Sequence, residues 1–101
     1  MEKRPHFKAT ITYLPSEDGG IAMPVSSGYR TSIKFPYQTT EILASQTFLD
    51  EDLVFPGDTV SADILLINAG DIFEKIYAGI DFDLVLNSAT IGNGVVTEIY
   101  D

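Results

Sequence analysis

Residues 55–67, FPGDTVSADILLI, decide the fold class of this chain. Pro56 and Gly57 supply the fixed φ and then the positive φ that a type II turn requires. After Asp58 and Thr59, an apolar set of residues alternates with a polar set: Val60, Ala62, Ile64 and Leu66 against Ser61 and Asp63. A period of two places the two sets on opposite faces of a strand. The segment therefore predicts a tight turn followed by a half-buried strand over residues 59–67.

The same alternation recurs on both sides of this segment. It predicts strands at residues 7–13, 30–37, 39–49 and 80–86, the third of which is one strand or a strand with a bend. Asn87 and Ser88 then predict a turn into a last strand over residues 90–100. The predicted inward-facing residues are Phe7, Ala9, Ile11, Tyr13, Ile33, Phe35, Tyr37, Phe82, Leu84 and Leu86. Only residues 72–79 could form a short helical turn.

Short strands separated by turn signals, with little helix, predict an all-β barrel or sandwich. The length of 101 residues fits a single domain, residues 1–101. We expect residues 1–6 to form a flexible N-terminal extension. Apolar residues make up 45% of the chain and charged residues 21%, a balance that supports a packed core rather than disorder.

The composition also excludes several classes of function. The chain contains no cysteine, which rules out disulfides and thiol catalysis. A net charge of −9 repels phosphate backbones and disfavours RNA as a partner. No apolar run is long enough for a membrane span, and the start of the chain lacks the apolar region of a secretory signal. We therefore expect a cytoplasmic protein without a membrane partner.

Candidate catalytic residues are few. The only histidine, His6, lies near the terminus, where a Ser-His-Asp arrangement is not expected. Asp81 and Asp83 share one face of a predicted strand and could form an acid–base pair or an oxygen-ligand metal site, although solvated carboxylates are the commoner finding. Residues 50–52 lack the spacing of a calcium loop and predict a solvated turn. The sequence predicts no enzyme, no metal and no cofactor.

The glycines at positions 92 and 94 do not indicate a phosphate-binding loop. Gly92 and Gly94 lead into the strand-like residues VVTEIY, and no lysine accompanies them. Glycines inside a strand pattern more often mark a bulge or a close approach of two backbones at a barrel bend.

The connection at residues 19–30, GGIAMPVSSGYR, is longer than a plain hairpin needs. It ends in a mixture of apolar, aromatic and cationic side chains. Ile21, Ala22, Met23 and Val25 predict either an apolar recognition patch or a cover for the end of the barrel. Arg30 is either a packed cation or a binding group.

Three segments together resemble the third, C-terminal domain of translation elongation factor Tu. They are ITYLPSEDGGIAMPVSSGYR at residues 11–30, VFPGDTVSADILLI at residues 54–67 and GIDFDLVLNSATIGNGVV at residues 79–96. The discrete signals are Gly19, Gly20, Pro24, Gly28, Tyr29, Arg30, Pro56, Gly57, Asp58, Gly79, Phe82, Thr90, Gly92, Gly94, Val95 and Val96. The resemblance covers about residues 7–100.

This resemblance implies a small antiparallel β-barrel of about six strands with Greek-key-like connections. In the family, the domain performs no catalysis. It packs against the middle barrel and the GTPase domain, helps to hold the T-stem of aminoacyl-tRNA, and offers a surface to the nucleotide-exchange factor. The GTPase domain is absent from this sequence, so the resemblance implies no GTP binding.

The chain departs from the family at positions where that family is basic or polar. Ile21, Ala22 and Met23 replace an Arg-His-Thr run, and Val85 replaces an arginine. Ser88 and Ala89 stand where the family has a Gly-Arg pair. Since each lost cation removes a phosphate contact, these changes weaken any inherited binding of tRNA.

The leading hypothesis is a non-catalytic interaction module that binds a protein partner. Its predicted binding residues are Ile21, Ala22, Met23, Val25, Tyr29 and Arg30, and a homodimer formed through the same patch is a variant of it. The alternative is a weak tRNA- or rRNA-binding module that uses Lys3, Arg4, Lys8, Arg30 and Lys34. A third, less favoured alternative is an acid–base enzyme at Asp81 and Asp83.

Overall fold

Six antiparallel strands dominate the computed structural model, which describes residues 4–19, 23–36, 41–67 and 76–100. They are β1 (Phe7–Tyr13), β2 (Tyr29–Lys34), β3 (Ile42–Phe48), β4 (Thr59–Leu66), β5 (Asp81–Leu86) and β6 (Ala89–Ile99). A turn of 3-10 helix, Ser16–Asp18, follows β1. No helix in the described ranges is long and apolar enough to cross a bilayer.

The strands close into a barrel in the order β1-β4-β3-β2-β5-β6. Strands β2, β3 and β4 are sequential antiparallel neighbours, and β1 lies beside β4, which is a Greek-key arrangement. The predicted all-β class and the small antiparallel barrel are thus confirmed, and the sandwich is excluded. β1 and β2 lie on opposite sides of the ring, because two strands separate them in either direction.

Strand direction alternates around the ring, so the connections divide between two ends. The β1–β2 connection (residues 14–28), the β3–β4 connection (residues 49–58) and the β5–β6 turn (residues 87–88) share one end, which we call the loop end. The chain enters and leaves at the opposite end, next to His6 and Tyr100.

Alternating side chains of all six strands fill the interior. Phe7, Phe35 and Phe82 meet edge to face, with ring centroids 6.5, 6.0 and 5.6 Å apart. This arrangement is the preferred one for aromatic pairs and adds to the burial of their apolar area. Tyr13 and Phe48 form a similar pair at 6.4 Å nearer the loop end.

The turn before β4 has the predicted geometry. The Asp58 N–H donates to the Phe55 carbonyl at 3.0 Å, and Gly57 has a φ of 89°. A type II turn needs this positive φ at its third residue, where glycine carries no steric cost. The Asp58 carboxylate also accepts a hydrogen bond from the Phe55 N–H at 3.0 Å, which stabilises the same turn.

Gly92 lies at a close approach of two backbones, as predicted, whereas Gly94 lies close to an aromatic side chain. A Cβ on Gly92 would lie 2.6 Å from the Thr12 carbonyl oxygen, and a Cβ on Gly94 would lie 2.5 Å from the Phe82 ring. Both separations are too short for van der Waals contact. Glycine is therefore needed here for space, since neither residue has a positive φ.

β5 ends at Leu86, as predicted, but its last residues depart from simple alternation of buried and exposed side chains. The pairing of β5 with β6 shifts register between Leu84 and Val85, which is an irregularity of the bulge type. As a result Val85 is buried and Leu86 is only half-buried, whereas simple alternation predicted Leu86 inside. Asn87 and Ser88, with φ of 52° and 67°, then form the predicted tight turn into β6.

Other boundaries also differ from the expectations. β2 ends at Lys34, β3 begins at Ile42, and Tyr37 lies outside the described residues. The predicted helical turn at residues 72–79 lies mostly outside them as well, although Gly79 has a φ of 100° in a turn before β5. His6, which lies within the N-terminal extension predicted for residues 1–6, hydrogen-bonds to Ile64 and Tyr100 through its backbone.

Candidate functional site

Two connections meet at the loop end through a single β-bridge. The Val25 N–H donates to the Val54 carbonyl at 2.9 Å, and the Val54 N–H donates to the Val25 carbonyl at 2.8 Å. Val54 is fully buried and Val25 packs against the core. Because successive side chains of an extended segment point to opposite sides, burial of Val54 directs Leu53 and Phe55 toward solvent.

The bridge joins the backbones of two connections that each carry exposed apolar side chains within two residues of it. Met23 is 72% exposed, Leu53 is 47% exposed and Phe55 is 50% exposed. We call the surface formed by Met23, Leu53 and Phe55 the apolar end. Single exposed apolar side chains are ordinary on a protein surface, whereas a concentration of large ones at one end favours a site of association.

Sequence reasoning found only one side of this surface. It named Met23 but assigned no role to Leu53 and Phe55, which lie between the turn predicted at residues 50–52 and the turn at Pro56 and Gly57. The signal was present in LVF at residues 53–55, because alternation in an extended segment turns at least one of three successive apolar residues toward solvent.

The other predicted binding residues have different environments. Val25 and Tyr29 are half-buried and pack against the core, so they are less available to a partner than Met23 is. Burial raises the pKa of Tyr29 above its ordinary value. Arg30 is exposed on the outer face of β2, so it is not a packed cation. Ile21, Ala22 and Gly20 lie outside the described residues.

Side-chain and backbone contacts hold the β1–β2 connection in place. The Phe48 N–H donates to the Ser27 hydroxyl at 2.9 Å, and the Gly28 N–H donates to the Gln46 carbonyl at 2.8 Å. Gly19 ends the 3-10 turn with a φ of 89°, and Pro24 lies in the exposed segment beside the bridge. Gly19 and Gly28 therefore occupy positive-φ positions of this connection, where glycine carries no steric cost.

A buried polar chain lies beneath the loop end. The Tyr13 hydroxyl donates to the Gln46 side-chain oxygen, and the Gln46 side-chain nitrogen donates to the Thr31 hydroxyl at 3.0 Å. All three residues are almost fully buried. Burial, and then the neighbouring Tyr29, raise the pKa of Tyr13, while the hydrogen bond to Gln46 lowers it. The three side chains satisfy one another's hydrogen bonds, which indicates a structural role.

The cations predicted for RNA contact do not form one surface. Arg30 and Lys34 lie on β2, whereas Lys8 lies on β1, on the opposite side of the barrel. Lys8 stands opposite Asp63 and Glu98 on its two neighbouring strands, and Lys34 stands opposite Asp83. Arg4 lines a cleft with Asp63 and Tyr100, and Lys3 lies outside the described residues.

Asp81 and Asp83 both point outward from β5, as predicted. Their partners across the strands are Val95, Asn93 and Lys34. Both aspartates are exposed, so the pair lies on an open barrel wall rather than in a cleft. Among the described residues, no three His, Cys, Asp or Glu side chains are arranged to hold a metal ion.

An open cleft lies at the other end of the barrel, near the chain termini. Its volume is about 360 Å³, and Arg4, Pro5, Asp63 and Tyr100 line it. The Tyr100 hydroxyl donates to the Asp63 carboxylate at 2.6 Å, which raises the pKa of Tyr100 to about 12. The cleft therefore has its own internal hydrogen bond between two of its lining groups.

His6 joins β4 to the end of the chain. Its N–H donates to the Ile64 carbonyl at 2.8 Å, and its carbonyl accepts from the Tyr100 N–H at 3.0 Å. Its Nδ1 accepts a hydrogen bond from the Leu66 N–H at 3.0 Å. Only a ring that is unprotonated at Nδ1 can accept this bond, so the folded state favours neutral His6. Burial likewise lowers the pKa of His6 below 6.5.

These contacts predict a pH dependence of stability. His6 contributes its full stabilisation above pH 6.5, and the contribution is lost as the pH falls through 6.5 toward the lower pKa of the folded state. In the matched variant His6→Asn, the amide oxygen can accept from Leu66 N–H and does not titrate. Denaturant unfolding above and below pH 6.5 should therefore show that the free energy of unfolding falls more at low pH for the unmodified chain than for His6→Asn. Equal losses would contradict this assignment of His6.

Fold and surface together define a class: a small, closed antiparallel β-barrel domain with an exposed apolar surface at one end. No protein-family model matches the chain.

Proposed function

We propose that this chain is a non-catalytic β-barrel interaction module that binds a protein partner through the apolar end. The observation that carries the proposal is the exposure of Met23, Leu53 and Phe55 in the two connections that the bridge between Val25 and Val54 joins. Large apolar side chains at the centre of an interface contribute most of its binding energy once a partner removes them from water.

The rigidity of the surface supports the same proposal. The hydrogen bonds of Ser27 and Gly28 to β3 fix one connection, and the type II turn at Pro56 and Gly57 fixes the other. A surface that is ordered before binding loses less conformational entropy when it associates. The apolar end is therefore suited to recognition rather than to closure over a substrate.

The resemblance to the third domain of elongation factor Tu adds a cellular context to the proposal. In that family the corresponding barrel serves as a contact surface for other domains and for protein partners. We accordingly propose a cytoplasmic, translation-related role for the module. This part rests on the likeness of the three sequence segments and on the barrel fold, and fold alone does not define function.

Binding of tRNA or rRNA has less support. The four predicted cations within the described ranges are divided between β2, β1 and the cleft, and Lys8 and Lys34 face carboxylates. An RNA site needs several cations on one continuous surface, since affinity grows with the number of neutralised phosphates.

The proposal predicts loss of partner binding when the apolar end is made polar. In the double variant Met23→Asp with Phe55→Asp, recovery of the specifically bound protein from ribonuclease-treated lysate should fall by about tenfold or more, the effect of losing interface anchors. The matched control is Leu43→Asp, because Leu43 is 41% exposed but lies on the barrel wall in β3. The control should bind as the unmodified chain does.

Two results would overturn the proposal. Equal recovery of the bound protein by the double variant and by the unmodified chain would show that the apolar end does not contact the partner. Recovery that disappears on ribonuclease treatment, for every variant, would show that RNA is the primary ligand.

A further inference from the structure

The three connections at the loop end carry charge of one sign. Residues 14–28, 49–58 and 87–88 contain no Lys, Arg or His. They contain the following acidic residues: Glu17, Asp18, Asp50, Glu51, Asp52 and Asp58. The side chains of Glu17, Asp50, Glu51 and Asp52 are exposed. The six Lys and Arg residues of the chain all lie outside these connections.

The acidic and apolar groups belong to one continuous segment. Asp50, Glu51 and Asp52 directly precede Leu53 and Phe55, and Leu49 on their other side is exposed as well. A ligand that covers Leu53 and Phe55 must therefore pass within a few residues of the carboxylates. Charges this close to an interface affect both the rate of association and the choice of partner.

We infer that the occupant of the apolar end is a cationic protein segment, in which Lys or Arg residues flank apolar anchors. This inference rests on the proposed function, since it assigns a chemistry to the partner proposed there. The apolar anchors cover Met23, Leu53 and Phe55, and the cations lie beside the carboxylates of Asp50, Glu51 and Asp52.

The same charges disfavour the other occupants. A second copy of the chain would bring two sets of loop carboxylates together, and like charges placed opposite each other at an interface are unfavourable. A nucleic acid would bring phosphates to the same carboxylates. Only a cationic partner gains from both the apolar and the acidic groups.

The test uses short synthetic peptides with the same apolar residues and different charged residues. A peptide of Leu and Phe with interspersed Lys is compared with its Glu counterpart and with a Lys peptide in which Ser replaces Leu and Phe. Fluorescence anisotropy measures their binding to the full chain at low and at physiological salt. Only the peptide with Leu, Phe and Lys is expected to bind well, and salt is expected to weaken it because screening reduces exposed charge interactions.

Two variants separate the charge contribution from the apolar one. The charge variant is Asp50→Asn with Glu51→Gln and Asp52→Asn, and its matched control is Asp81→Asn with Asp83→Asn on the barrel wall. The apolar variant is Phe55→Ser, and its matched control is Leu43→Ser. We expect the charge variant and Phe55→Ser each to weaken binding by about tenfold. Both controls should bind normally, and circular dichroism checks that every variant is folded.

The outcomes separate this inference from the proposed function. If Phe55→Ser weakens binding but the charge variant does not, or if the Glu peptide binds as well as the Lys peptide, the inference is wrong and the proposed function stands. If Phe55→Ser changes the binding of no peptide and of no captured partner, both are wrong. Failure of the Leu, Phe and Lys peptide to bind overturns the inference. A dimer in light scattering that Phe55→Ser dissociates would show that the occupant is a second copy.

Discussion

Replacing Gln46 with leucine is expected to lower the free energy of unfolding by about 2–4 kcal/mol, because it leaves two buried hydroxyls without their partner. Gln46 accepts from the Tyr13 hydroxyl and donates to the Thr31 hydroxyl. Leucine is of similar size and fills the site, so the loss reflects missing hydrogen bonds rather than a large cavity. Urea unfolding at constant pH, analysed by linear extrapolation, measures it.

A triple variant is the control for this prediction. Tyr13→Phe with Thr31→Val and Gln46→Leu removes every polar atom of the chain of hydrogen bonds and approximately keeps its shape. Because apolar replacement of all partners leaves nothing unsatisfied, it should regain most of the stability lost by Gln46→Leu alone. A triple variant as unstable as the single one would show that packing, and not hydrogen bonding, is the dominant contribution of Gln46.

Gly92→Ala is expected to lower the free energy of unfolding by about 3 kcal/mol or more, through overpacking against backbone. The new Cβ would lie 2.6 Å from the Thr12 carbonyl oxygen, 3.2 Å from the Tyr13 Cα and 3.1 Å from a methyl group of Leu84. β1 and β6 would have to separate at this point, although they pair along nearly all of β1. Denaturant unfolding again gives the magnitude.

Gly94→Ala provides the comparison, because its clash is with a side chain. The Cβ would lie 2.5 Å from the Phe82 ring, which Phe7 and Phe35 hold in place. In a Phe82→Leu background the cost of Gly94→Ala should therefore fall. The cost of Gly92→Ala should stay nearly the same in a Leu84→Ala background, since the Thr12 carbonyl remains. The assigned contacts would be contradicted if these double-mutant cycles showed an unchanged cost of Gly94→Ala in the Phe82→Leu background and a reduced cost of Gly92→Ala in the Leu84→Ala background.

Local patterns determined the strands and the turns. Alternation from Phe7 to Tyr13 predicted β1 at both of its ends, and Pro56 with Gly57 predicted the turn before β4, because both signals depend only on neighbouring residues. The glycines at 92 and 94 predicted a close approach of two backbones, which holds for Gly92 but not for Gly94, where a side chain approaches. The sequence also shows that residues 14–28, 49–58 and 87–88 contain acidic residues but no Lys, Arg or His. It does not show that these three connections lie at the same end of the barrel.

Tertiary structure decided which of these local features meet. Val85 turns inward only because the pairing of β5 with β6 shifts register, and that shift depends on a second strand. Gln46 is satisfied by Tyr13 and Thr31, which are 33 and 15 residues away in sequence. The Val25–Val54 bridge likewise joins the connection that carries Met23 to the one that carries Phe55, while closure of the barrel places Lys8 and Lys34 on opposite sides. Side-chain alternation is set by the local backbone, whereas these contacts depend on pairing between distant segments, which the local pattern of one segment does not specify.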